Sequence, residues 1–241
     1  MIPHSLLHAL RHGRDGLLDL LFPRLCLSCG LRTLAEDALF CLDCQSQLHP
    51  ADMYRFPDNE VVSRFRGRIE LTAGAALFYY EKGTRLQQLI ERLKYRGETN
   101  IGHSLGEYFG RLLKDVEAFR SIEWLVPVPL HPRKQALRGY NQSAWIARGL
   151  SLSMGIPFRE DLLVRTRETD SQTRKGRHER MQNMSAAFAL TPLARQLTKG
   201  HHIALVDDVL TTGATLESCA LKFREASPIC RLSMLTLGMT C

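Results

Sequence analysis

The thirteen residues Ile203-Ala204-Leu205-Val206-Asp207-Asp208-Val209-Leu210-Thr211-Thr212-Gly213-Ala214-Thr215 set the terms for the rest of the chain. Four apolar residues in a row are enough for a strand buried on both faces. Two carboxylates and two more apolar residues follow, and the run closes on Thr-Thr-Gly-Ala-Thr. An amphipathic pattern starts at once with Leu216, Ala220, Leu221 and Phe223. A buried strand that feeds a small-residue turn and then a helix start suits a phosphate, because N–H groups of the turn and of the helix N-terminus converge on the anion. Gly213 lets the backbone approach closely, and Thr211, Thr212 and Thr215 add hydroxyl donors. Two adjacent acids repel a phosphate but accept hydrogen bonds from sugar hydroxyls. The stretch is therefore expected to hold one sugar phosphate, with hydroxyls on Asp207 and Asp208 and the phosphate over residues 211–215.

The remaining 228 of the 241 residues bound what that site can serve. No apolar run approaches 18 residues, so no membrane span is expected. The leucines of residues 1–24 are interrupted by Arg11, Arg14, Asp15 and Asp19. That pattern predicts a short amphipathic helix, weakened by Gly13 and Gly16, and not an export signal. A cytoplasmic location is the corresponding expectation. The net charge of +7 is uneven: residues 1–60 carry 5 Lys/Arg against 8 Asp/Glu, whereas residues 61–200 carry 24 against 13. A middle this basic suits a polyanion, a pyrophosphate or a nucleic acid; a solvated basic face accounts for the same charge.

Four of the seven cysteines are ordered in two pairs, Cys26-Leu27-Ser28-Cys29 and Cys41-Leu42-Asp43-Cys44, with eleven residues between them. Two such knuckles supply four sulfurs for a tetrahedral zinc with no open position, hence a structural ion. A redox CxxC is the alternative that the pattern favours less. Cys219, Cys230 and Cys241 are scattered and are expected to be core or tail thiols.

Between the cysteines and the opening stretch, residues 51–66 look like a linker and residues 69–80 like a strand. Thr84 should cap a helix whose Leu86, Leu89, Ile90 and Leu93 share a face and which stops at Lys94-Tyr95-Arg96-Gly97. Its cations either complement the helix dipole or clamp a phosphate. A second helix is expected over 101–119, with Gly102, Gly106 and Gly110 on one face for close packing. Trp124–Leu130 reads as a buried strand, followed by a cationic loop with Arg133, Lys134 and Arg138 and then a helix from Ala144 to Met154. A loop at the carboxyl end of a parallel strand is where α/β sheets bind ligands, and Arg138 can grip two oxygens of a pyrophosphate at once. Residues 165–184 form a long polar stretch of mixed charge, a functional segment or an unstructured one.

The opening stretch matches the phosphoribosyl-pyrophosphate (PRPP) motif of type I phosphoribosyltransferases at every position. Val126-Pro127-Val128-Pro129-Leu130-His131-Pro132-Arg133, then Arg138-Gly139-Tyr140-Asn141-Gln142, resembles the ComF family of bacterial phosphoribosyltransferase-like proteins linked to natural competence. Leu93–Gly97, Arg165-Thr166-Arg167, Gln172, Arg180, Asn183, Ala187-Phe188 and the four cysteines extend the likeness over roughly residues 25–238. One departure is Ala226-Ser227-Pro228, where many relatives have a glycine-containing turn.

The resemblance implies an α/β protein with the type I phosphoribosyltransferase fold, a twisted, mainly parallel sheet flanked by helices, over residues 67–241, and a small zinc module over 25–50. It implies PRPP bound with magnesium: ribose on Asp207 and Asp208, 5′-phosphate on Thr211, Thr212, Gly213, Ala214 and Thr215, pyrophosphate facing Lys94, Arg133, Lys134 and Arg138. Arg165, Gln172, Arg177, Arg180 and Asn183 would belong to a hood over an acceptor, or would meet DNA. A pentosyltransferase would displace pyrophosphate from C1 by a nitrogen nucleophile, with electrostatic stabilisation as its main means and no Ser-His-Asp set. A protein that senses PRPP or a nucleotide and binds single-stranded DNA or a helicase of the competence machinery is the other reading, since function travels with the site and not with the fold.

Overall fold

The computed structural model describes residues 23–32, 34–35, 38–166, 187–197 and 200–241. The expected N-terminal helix falls almost wholly outside the described residues, as do Gln172, Arg177, Arg180 and Asn183. The chain divides into two compact units, Met1–Leu48 and His49–Cys241.

The described part of the first unit is built around sulfur. Cys26, Cys41 and Cys44 are its buried core, with Cys29, Leu34 and Phe40 packed against them. The first knuckle closes where the Gly30 N–H donates to the Cys26 carbonyl at 2.8 Å, with Gly30 at φ 67°. The second opens helix α1 (Leu42–Gln45).

In the second unit, strands β1 (Ala73–Tyr79), β2 (Trp124–Pro127), β5 (His202–Leu210) and β6 (Arg231–Met239) form one parallel sheet in the order β1-β6-β5-β2. β3 (Leu163–Arg165) and β4 (Phe188–Leu190) pair antiparallel in a separate ribbon. The two central strands are buried almost throughout, as parallel strands covered on both faces must be. β5 runs on through both acids to Leu210, past the four apolar residues that announce it, with Asp207 opposite Thr236 of β6. At the other end of β5, buried His202 lies 2.9 Å through Nδ1 from the Ser121 hydroxyl and 2.8 Å through Nε2 from that of Ser233. Burial pushes its pKa down to about 4, so the ring is neutral at pH 7.

Residues 51–66 correct the expectation of a linker. They contain a 3₁₀ turn (Met53–Arg55) and helix α2 (Glu60–Phe65), capped by the side-chain Oδ1 of Asn59, which accepts from the N–H groups of Val61 and Val62. Met53, Val61 and Phe65 are buried, and Ala51 N–H donates to the Leu77 carbonyl of β1. Six helical residues are less than two turns, too few for the 3.6-residue period to register in the sequence.

Helix α3 (Arg85–Tyr95) buries Leu86, Leu89, Ile90 and Leu93 as their spacing predicts. The helix expected over 101–119 is α4 (Thr99–Leu113) followed by a separate turn, α5 (Glu117–Arg120). The expected cationic loop is instead a helix, α6 (Pro132–Arg138), with proline at its first position and Gly139 in the left-handed region at its end. Helix α7 (Gln142–Met154) follows; α8 (Pro192–Leu197) and α9 (Ala214–Ala226) flank β5 in the chain.

α4 and α7 approach backbone to backbone through glycine. A Cβ on Gly106 would lie 2.2 Å from the Ile146 carbonyl oxygen, and one on Gly149 would lie 2.0 Å from that of His103. At Gly102 the neighbours are side-chain atoms, Leu93 Cδ1 at 3.2 Å and Trp145 Cβ at 3.3 Å. Gly106→Ala is therefore expected to destabilise by roughly 1–3 kcal/mol or more. Gly102→Ala should cost much less, because Leu93 can shift and alanine is the better helix former. Urea unfolding measures both, and equal losses would refute the close-approach argument.

Candidate functional site

The four knuckle sulfurs lie within 4.8 Å of one another. Cys29 Sγ and Cys41 Sγ are 4.0 Å apart, and the Cys41 N–H donates to Cys26 Sγ at 3.3 Å. A tetrahedron with metal–sulfur bonds of about 2.3 Å has edges of about 3.8 Å, so the four cysteines are positioned to bind a metal ion.

The second candidate lies at the carboxyl end of β5. Adjacent side chains on a strand turn to opposite faces, and the two acids have different partners. Asp207 Oδ1 accepts from the Ser143 hydroxyl of α7 at 2.9 Å and from the Asp208 N–H at 2.9 Å. Asp208 is buried, and its Oδ2 pairs with Lys94 Nζ at 2.9 Å. Burial and then the neighbouring Asp208 charge push the Asp207 pKa up to about 7. Burial works to lower the Lys94 pKa, and Asp208 with Asp207 behind it more than offsets that and raises it.

Around Lys94, the end of α3 is fastened to the start of α7. The Tyr140 hydroxyl donates to the Leu93 carbonyl. The Arg138 guanidinium stacks 5.0 Å from the Tyr95 ring centre and donates to Gln142 Oε1 at 3.1 Å. Asn141 donates to the Val128 carbonyl at 3.0 Å while capping α7, which fixes Ser143 beside Asp207.

Beyond the acids, Thr211 and Thr212 are exposed, and Gly213, at φ 83°, opens α9. Ala214 and Thr215 lie in the first helical turn, whose N–H groups have no partner within the helix.

No family model matches the chain. Competence protein F of Haemophilus influenzae is 31% identical over 143 residues, 58% of this chain and 62% of that protein. The DNA utilization protein YhgH of Escherichia coli is 31% identical over 140 residues, 56% of this chain and 59% of its own length. Competence protein ComFC of Bacillus subtilis is 25% identical over 220 residues, 86% of this chain and 87% of that protein. The chain is similar to competence and DNA-utilization proteins. It spans less than two thirds of the first two, and these relatives support the ComF resemblance read from the motifs.

Of the cations expected at a pyrophosphate, Lys94 touches Asp208 and Arg138 stacks on Tyr95 beside it. Arg133 and Lys134 stand on the exposed surface of α6. Arg165 pairs across the ribbon with Phe188 and lies 5.2 Å over its ring. Two contributors escape a reading of the sequence. Ser143 is one. Arg64 is the other: its guanidinium donates to the Thr211 carbonyl and, through Nη2 at 2.7 Å, to that of Thr240. No local signal marks either; both act on residues distant in the chain. Among the described residues no helix is long and apolar enough to cross a membrane.

The folded Asp207 pKa lies above the unfolded value, so the native state keeps a proton that the unfolded chain releases. Stability from this group is greatest below about pH 4 and falls as pH rises to about 7. Asp207→Asn, which can still accept from Ser143, should therefore raise the unfolding free energy measured in urea at pH 8, by an amount on the order of a few kcal/mol, and the gain should vanish toward pH 4. A gain independent of pH would contradict the assignment.

Proposed function

We propose that this protein binds PRPP on a type I phosphoribosyltransferase fold and acts in the uptake or use of DNA. One observation carries the reading. A buried strand delivers two carboxylates and a small-residue anion turn in succession, and a lysine from a distant helix is ion-paired to the second acid. In this reading ribose hydroxyls approach Asp207 and Asp208, and the 5′-phosphate lies over Thr211–Thr215. The pyrophosphate lies on the side of Lys94 and Arg138, with Arg133 and Lys134 further along α6. Magnesium bound with the substrate supplies charge neutralisation for the diphosphate. Lys94 and Arg138 are fixed cations toward charge that develops on a leaving pyrophosphate, and the acids favour a cationic ribose. An acceptor nitrogen would take C1.

A non-catalytic, PRPP-sensing role is the second reading, since the same cradle can hold a ligand without transferring any part of it. Names of relatives that refer to competence and to DNA utilization support a place in natural transformation. Single-stranded DNA and proteins of the competence machinery such as a helicase are the corresponding partners, and the basic stretch 61–200 is the charge that DNA would meet.

The double variant Asp207→Asn/Asp208→Asn should abolish PRPP binding in calorimetry, and an unchanged affinity would remove the proposal. Incubating the wild type with PRPP and a panel of bases or DNA separates the two roles. Pyrophosphate release that depends on the acids and on one acceptor establishes a transferase, and binding without release establishes a sensor.

We assign zinc to the four cysteines, since four thiolates fill a tetrahedral ion and leave no place for a water. The purified protein should hold one equivalent of zinc. Cys41→Ser should lose it and expose residues 23–48 to proteolysis; stoichiometric zinc in the variant would rule the assignment out.

A further inference from the structure

Three contacts from one short segment converge on the anion turn. From α2, Arg64 reaches the Thr211 carbonyl and Phe65 lies under Gly213, where an added Cβ would be 2.8 Å from the ring. Just past α2, Arg68 forms an ion pair with Glu217, a buried acid in the first turn of α9. Thr211 and Gly213 belong to the turn, and Glu217 to the first turn of the helix that Gly213 caps. Arg64 also spans to the Thr240 carbonyl, beyond β6, and the Thr240 N–H donates to the Leu210 carbonyl at 3.0 Å. The exits of β5 and β6 are thereby locked together on either side of one guanidinium.

The consequence follows from the planarity of the peptide bond. No peptide bond among the described residues is cis. In a trans peptide the C=O of one residue and the N–H of the next point in opposite directions. Holding the Thr211 carbonyl toward Arg64 turns the Thr212 N–H away from α2, toward the open side of the turn where Thr211 and Thr212 are exposed. The reverse orientation would present the carbonyl oxygen to an incoming anion and repel it.

We propose that Arg64 is a positioning residue for the phosphate of the ligand: by fixing the Thr211–Thr212 peptide plane it aims the Thr212 N–H into the cradle before the anion arrives. This rests on the reading that residues 211–215 hold a sugar phosphate. Lysine cannot replace it fully, because one ammonium lacks the planar fork that serves two carbonyls at once. A preset donor also spares the ligand the cost of ordering the turn.

The test compares full-length wild type, Arg64→Lys and Arg64→Ala by calorimetry with ribose 5-phosphate and with PRPP. The proton shift of the Thr212 amide on adding ribose 5-phosphate is followed in ¹⁵N-labelled protein. Arg64→Ala should lose about tenfold or more in affinity for both ligands, Arg64→Lys should fall between, and the Thr212 shift seen in the wild type should shrink in step. A lowered melting temperature with unchanged affinity and an unchanged Thr212 shift would make Arg64 a purely structural residue and overturn the proposal. If Arg64→Ala does not fold, Arg64→Lys alone decides by the same two readouts. If the wild type binds neither ligand, the sugar-phosphate reading itself falls, an outcome distinct from normal wild-type binding with indifferent Arg64 variants.

Discussion

Two carboxylates held side by side inside a covered strand impose the main constraint on this fold. Removing charge from water is costly unless it is paired and hydrogen-bonded. Here the compensation comes from elements far apart in the chain. Lys94, at the end of α3, neutralises Asp208, and Ser143, at the start of α7, donates to Asp207. The compensation is incomplete, because Asp207 is still pushed well above the usual carboxylate range. A strand that only needed to pack would carry apolar residues there, as Val206 and Leu210 do on either side. The retained cost is what singles these positions out as a candidate site.

The position of Ser143 depends in turn on how closely α7 can lie against α4. Gly106 and Gly149 remove the side chains that would hold the two backbones apart. Asn141 then anchors the first turn of α7 to the strand exit at Val128. Val128 itself is held to β5, its N–H donating to the Val206 carbonyl at 2.9 Å. Helix packing and a cap thus act in series on one hydroxyl and the carboxylate that it meets.

Contiguity decided what could be read without coordinates. The strand–turn–helix unit at 203–226, the amphipathic α3 and the paired cysteines each declare themselves within one window, and each is found where its pattern lies. The close approach of α4 was legible because glycine recurs every four residues. The span of β5 was not, because two acids look like the end of a strand until their partners are known. α6 carried its own signals, Pro132 and Gly139 at the two ends of a helix, but three cations within seven residues read as a loop. α2 was invisible for a different reason. Its six residues fill too little of a turn pattern, and its value lies in what it touches: Thr211, Gly213 and β1. Partners far away in the chain leave no trace in local periodicity.

The cysteine unit obeys a different energy balance from the sheet. Among the described residues its buried core consists of Cys26, Cys41 and Cys44 with Leu34 and Phe40 as apolar support beyond the sulfurs, while Leu31 and Leu42 are more than four-fifths exposed. Burial on that scale does not offset the ordering of even a short segment. Four thiols drawn to within 4.8 Å have little reason to gather on their own, since deprotonated sulfurs repel and protonated ones make only weak hydrogen bonds. A cation reverses both objections at once. It turns repulsion between thiolates into coordination, and its binding free energy becomes the folding free energy of the unit. On the proposed metal assignment, order in this unit would depend on the ion and on pH through thiol deprotonation, whereas order in the sheet domain rests on its apolar core. The two units would then answer to different solution variables.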